Sequence, residues 1–108
     1  MALAPARISM PSEAKKGEAV EIKALVRHPM ETGYRVDNVG QPIPRNILTD
    51  LTVTFNGAEI FRMEMHQGIA ANPFLSIVLR AKESGELVFT WSGDFGTTIT
   101  ERKTLTVT

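Results

Sequence analysis

Few side chains in this 108-residue sequence are of types that carry chemistry. His28 and His66 are the two histidines, and the carboxylates Asp37 and Asp94 fall in the same kind of strand-terminal segment. A histidine held by a carboxylate is the arrangement of a general base. No G-x-S-x-G elbow, glycine-rich phosphate loop or H-E-x-x-H pattern accompanies it. Metal chemistry is the next candidate. Met63-Glu64-Met65-His66, with His28 and Met30, offers thioether and imidazole donors of the kind that suits copper. A strand through this run, however, turns Met63 and Met65 inward, where methionine fills gaps in a core, and His66 outward. No resident cofactor or metal is therefore expected. Cysteine is absent, which removes disulfides, thiolate zinc sites, iron–sulfur clusters and thiol nucleophiles together.

The elements that position these residues read as strands. Val20, Ile22, Ala24 and Val26 alternate with Glu21, Lys23 and Arg27, and Leu51, Val53 and Phe55 alternate with Thr52 and Thr54. Asn56-Gly57 follows, a pair that tolerates the positive φ of a type I′ hairpin turn. Phe61, Met63 and Met65 then form one face, as do Leu75, Ile77 and Leu79, and again Leu87, Phe89 and Trp91. A short first strand over 6–10 and a threonine-rich last strand through Leu105 and Val107 complete about seven. The segment 11–17 fits at most one helical turn capped by Ser12. In the last strand Glu101 and Lys103 share a face with Ile99 and Leu105, so a bulge or an exposed middle is required. The prediction is a single domain over 1–108, an all-β, immunoglobulin-like β-sandwich of about seven antiparallel strands.

Strand parity sorts the loops. Stretches 11–18, 56–57 and 83–85 fall at one end, and 28–44, 67–73 and 93–96 at the other. The second end carries His28, Met30, Glu31, His66 and Asp94. Its longest loop has about 17 residues, above the ~12–15 beyond which a loop in a compact domain is usually functional or disordered. If the domain has a functional end, this is the one.

Composition narrows the partners. Lys plus Arg number 12 and Asp plus Glu 12, a formal charge of zero, which argues against nucleic acid or anionic lipid. No apolar run approaches the ~20 residues that span a bilayer, so no membrane role is expected. The start, Met1 to Arg7, lacks the basic-then-apolar pattern of a targeting segment. Apolar residues on the wrong phase are more informative. Leu25, Ile60, Phe74, Val78 and Val88 point with charged and hydroxyl neighbours, and on adjacent strands they would merge into a protein-binding patch. The alternative is that the long loop shields some of them or that a bulge flips the phase.

The run Arg27-His28-Pro29-Met30-Glu31-Thr32-Gly33 is followed by Asn46-Ile47-Leu48, Val53-Thr54-Phe55-Asn56-Gly57, Ala71-Asn72-Pro73-Phe74 and Trp91-Ser92-Gly93-Asp94. In order and spacing these resemble the SoxZ family, small subunits of the SoxYZ carrier in the bacterial thiosulfate-oxidising Sox system, over essentially the whole chain. The resemblance implies an immunoglobulin-like fold and a non-catalytic role. It also implies pairing with SoxY, whose cysteine, on a mobile glycine-rich C-terminal arm, holds sulfur intermediates while other Sox enzymes act on them. Those enzymes would meet this chain through the complex. Without a cysteine this chain is not expected to carry sulfur itself. The same resemblance implies a periplasmic location, reached by export bound to SoxY. Two other readings stand beside it: a small copper- or sulfur-handling module at the His28/His66 end, and a free-standing adhesion or scaffold sandwich.

Overall fold

The computed structural model of the chain describes residues 5–108; residues 1–4, the start read above for a targeting segment, lie outside the described residues. Eight strands follow in order: β1 (Ala6–Ser9), β2 (Glu13–Ala14), β3 (Ala19–Val26), β4 (Leu48–Phe55), β5 (Ala58–Glu64), β6 (Phe74–Arg80), β7 (Gly85–Gly93) and β8 (Thr98–Val107). A 3-10 turn, Asp94–Gly96, joins β7 to β8. Among the described residues no helix is long and apolar enough to cross a membrane. The strands form two sheets, ordered β1-β3-β6 and β2-β8-β7-β4-β5. The all-β sandwich is therefore as expected, with one addition. Segment 11–17 is not a helical turn: Glu13 and Ala14 pair in parallel with Thr106 and Val107 of β8. The other strand pairs are antiparallel.

The period-two pattern determines what faces inward. Ile22, Val26, Val53, Leu87, Phe89 and Trp91 are buried between the sheets, and the Phe89 and Trp91 rings stack at 6.2 Å on one face of β7. Phe55 is only half-buried, at the rim. The Asn56-Gly57 turn forms as its residue types dictate, with φ of 49° and 85°. The Asn56 side chain then crosses to the 83–85 turn, its Oδ1 accepting the Glu86 N–H at 2.9 Å. The last strand resolves as an exposed middle rather than a bulge. β8 keeps one register with β7 from Thr98 to Leu105, and Lys103 is exposed between half-buried Glu101 and buried Leu105 on the same face.

Two irregularities bend the five-stranded sheet. The β4–β7 register shifts between Leu48 and Asp50, and the β4–β5 register shifts between Val53 and Thr54, leaving Ile60 as the extra residue on β5. The molecule measures 59 Å along its longest axis. At ~3.4 Å per residue the ten-residue β8 spans only about 34 Å. The longest connection between strands is the excursion between β3 and β4, residues 27–47.

Candidate partner-binding surface

The end carrying the 28–47 loop is held by side chains that bond to backbone. The His28 N–H donates to Asn72 Oδ1 at 3.0 Å and the Asn72 N–H donates to the His28 carbonyl at 2.8 Å, so Asn72 brackets His28 from both sides. Asn72 does this at φ 51°, a left-handed conformation that asparagine tolerates better than most residues. Pro73 follows, and its carbonyl accepts the Val26 N–H as the first bond of the β3–β6 ladder. The His28 imidazole is buried, and its Nδ1 accepts the Met30 N–H at 3.0 Å, which places the proton of the neutral ring on Nε2. Burial lowers the His28 pKa from its ordinary 6.5, opposed by the Asn46 side chain and by the charge of Asp94. Met30 is buried too, and its Sδ accepts the Leu48 N–H at 3.3 Å.

Asp94 closes the same end. Arg45 donates to both of its carboxylate oxygens at 2.9 Å, and the Ile47 N–H adds a third bond at 3.0 Å. These contacts, the Arg45 pair first, hold the Asp94 pKa below its ordinary 3.8. The Asp94 N–H returns a bond to the Ile47 carbonyl, bringing the two backbones so close that a Cβ on Gly93 would sit 2.5 Å from that carbonyl. Glycine is required there by space.

His28 and Met30 thus spend their lone pairs on backbone N–H groups, and Asp94 spends its charge on Arg45. His66 is exposed and borders a surface hollow with Arg45, Asp50 and Glu64. Asp37, considered above as a carboxylate for a histidine base, lies instead in the turn of the excursion, where its Oδ1 accepts the Val39 and Gln41 N–H groups at 2.9 Å. Among the described residues no group of three or more histidine or carboxylate side chains could hold a metal ion. The arrangement fastens a loop.

What it fastens is a ribbon. Glu31 bridges to Asn46 and Val36 to Pro42, so residues 31–46 fold back on themselves as an irregular hairpin. Glu31 accepts a bidentate bond from Arg35, which lowers its pKa below the ordinary 4.5. Tyr34, Val36 and Val39 stand exposed along the ribbon, and Phe95 stands 75% exposed beside its base with φ 59°. The sequence marked this loop as functional by length but did not single out these four residues. The signal available was a set of apolar side chains in a segment with no strand pattern to bury them.

The five outward apolar residues do not form one patch, contrary to expectation. Leu25 and Phe74–Val78 belong to the three-stranded sheet, whereas Ile60 and Val88 belong to the five-stranded one. Leu25 and Val88 are half-buried; Phe74 and Val78 are exposed. Phase alone could not show this, because it says which face a residue takes and not which strands are neighbours. Ile60 deviates for a second reason: the bulge turns it to a cleft of ≈ 230 Å³ between the sheets, which it lines with Phe55, Leu79 and Leu105. That is smaller than the ~300–1,000 Å³ of small-molecule sites. Leu25 pairs with Phe74 across the β3–β6 ladder, and Val78 lies one full alternation beyond Ser76, so the outer face of β6 carries two exposed apolar side chains with a serine between them.

The architecture is thus a two-sheet sandwich whose exposed apolar groups lie on an open side and a ribbon. It is similar to the solved superoxide reductase (neelaredoxin) of Ignicoccus hospitalis (TM-score 0.74, 19% identity, 95% of this chain and 80% of that one). It is also similar to a superoxide reductase-like protein of Thermotoga maritima (0.72, 19%, 95% and 85%). The sulfur carrier protein SoxY of Chlorobium limicola f thiosulfatophilum matches at 0.69, with 14% identity over 98% of this chain and 81% of that one. At such identities these likenesses establish the fold alone. Among curated proteins none matches the sequence. The family model for the sulphur oxidation protein SoxZ matches residues 8–104, and the chain belongs to that family. Its role lies in Sox sulfur oxidation.

Proposed function

We propose that this chain is the non-catalytic partner of SoxY, stabilising the sulfur carrier and orienting its cysteine arm during thiosulfate oxidation in the periplasm. The observation that carries the reading is the SoxZ family match over residues 8–104. The site geometry supports it. His28, Met30 and Asp94 hold the base of an exposed ribbon, and a sulfur intermediate finds no cysteine here to attach to. Exposed Phe74 and Val78 give the surface a reason to be covered by protein. Export occurs as a complex with SoxY, and the remaining Sox enzymes reach this chain through that complex.

Reconstitution tests the reading. SoxY with the downstream Sox enzymes should oxidise thiosulfate in the presence of this chain and lose most of its turnover without it. Full turnover by SoxY alone would contradict the proposal. For location, deleting the export signal of SoxY should leave this chain in the cytoplasm of a producing cell. Its appearance in the periplasm regardless would contradict co-export.

A further inference from the structure

The two sheets end on the same side in β5 and β6, and these edges are built differently. β5 carries a bulge at Ile60 and the charged residues Glu59, Arg62 and Glu64, devices that stop another strand from adding. β6 has none of them. Its seven residues pair with β3 in one unbroken register, from Arg80 opposite Ala19 to Phe74 opposite Leu25. It contains no proline and no charge before Arg80, whose guanidinium donates to the Gly17 carbonyl at 2.7 Å.

The register says which backbone groups are free. Val26 bonds to the Pro73 carbonyl, so the hydrogen-bonded positions of this antiparallel ladder recur at Leu75, Ile77 and Leu79. The N–H and C=O groups of Phe74, Ser76, Val78 and Arg80 therefore point away from the sheet. No other described residue bonds to them. On the outer face, Phe74 and Val78 are exposed; on the inner face, Leu75, Ile77 and Leu79 are only half-buried. A strand laid along this edge would satisfy the free backbone groups. Its alternate side chains would enter the cleft beside Leu79 and Ile60 or cover Phe74 and Val78.

We propose that SoxY docks on this chain by adding a strand antiparallel to β6, making one sheet continuous across the two subunits. This rests on the reading of the chain as the SoxY partner. The occupant follows from that reading, and the fold agrees with it: the solved SoxY matches 98% of this chain, so it is a sandwich of the same build. An edge like β6 on that sandwich would pair with this one about a pseudo-twofold axis. The uncharged stretch 74–79 accepts a neutral, alternating strand without desolvating an ion.

Hydrogen exchange and a proline variant test it. In the complex with SoxY, the amides of Phe74, Ser76, Val78 and Arg80 should slow by at least about 100-fold, while Leu75, Ile77 and Leu79, already bonded to β3, change little. Ser76→Pro removes an outward N–H and no internal bond, so the subunit stays folded. Its SoxY affinity should fall at least about 30-fold, the factor matching a hot-spot loss. Should Ser76→Pro not fold, Val78→Lys, at a side chain 68% exposed in the free subunit, replaces it with the same expected loss. Wild-type affinity in the folded variant, or unchanged exchange at those four amides within a formed complex, overturns the edge proposal and leaves the SoxY reading standing. Failure of the wild-type chain to bind SoxY overturns both. Slow exchange at the same amides in the isolated chain, with a doubled mass in solution, assigns the edge to a second copy and also overturns the proposal.

Discussion

Replacing Asn72 by alanine removes the side-chain half of the bracket around His28 and keeps the backbone half, and its consequences can be worked out in parts. The His28 N–H, part-buried, loses its acceptor at 3.0 Å. An unsatisfied donor of this kind costs about 1–3 kcal/mol. Position 72 also sits at φ 51°, where an L-residue with a plain Cβ costs about 1–2 kcal/mol more. The sum is about 2–5 kcal/mol for Asn72→Ala. Asn72→Gly loses the same hydrogen bond without the left-handed penalty, so it should be the milder variant by about 1 kcal/mol. That order is unusual, since at ordinary φ glycine is the worse residue. For a domain of this size each kcal/mol moves the melting midpoint by about 4–8 °C. Urea unfolding of the three proteins measures the differences, with similar m-values if only stability has changed. An alanine variant as stable as the parent would refute the bracket, and an alanine variant more stable than the glycine one would refute the backbone conformation.

Other outcomes follow from the same geometry. Phe89→Ala, at a fully buried side chain stacked on Trp91, should cost about 3–5 kcal/mol in urea unfolding; an unchanged midpoint would mean that β7 faces the other way. His66→Ala, at an exposed side chain, should leave thiosulfate turnover within about twofold, and a loss of 100-fold or more in a folded, SoxY-bound variant would return catalysis to the histidines. Dialysis of the complex against a chelator should leave turnover unchanged, and a loss restored by copper would favour the metal reading. Acid stability has two parts. With the folded pKa of His28 lowered, the unfolded chain takes up a proton first, so stability falls as pH drops below 6.5; His28→Gln should flatten that slope. The lowered Asp94 pKa stabilises the fold above 3.8 and is lost as pH falls through its folded value, a step that Asp94→Asn should remove, as melting midpoints across pH would show.

Local pattern carried the reading a long way because a half-buried strand shows its two faces in its own residues. The inward sets on β3, β4 and β7, the Asn56-Gly57 turn and the sorting of loops to two ends all follow from alternation and parity. What alternation cannot show is which strands are neighbours. Hence Phe74 and Ile60 read as one face although they lie on different sheets, and the open edge of β6 had no sequence signal until its neighbour was known. Glu13–Ala14 escaped for a related reason: two residues are too few to display a period, and their pairing partner lies at the other end of the chain. At the loop end, residue types suggested chemistry while the hydrogen bonds show fastening. Nothing in the spacing of His28, Met30 and Asp94 says that their acceptors are already taken by backbone donors from Met30, Leu48 and Ile47. Tertiary contact decides that.

Calorimetric titration of purified SoxY with this chain measures the association itself. A saturable complex of sub-micromolar affinity should form with a negative heat-capacity change, the mark of apolar surface being buried on association. Absence of binding, with both proteins folded, would contradict the SoxY reading.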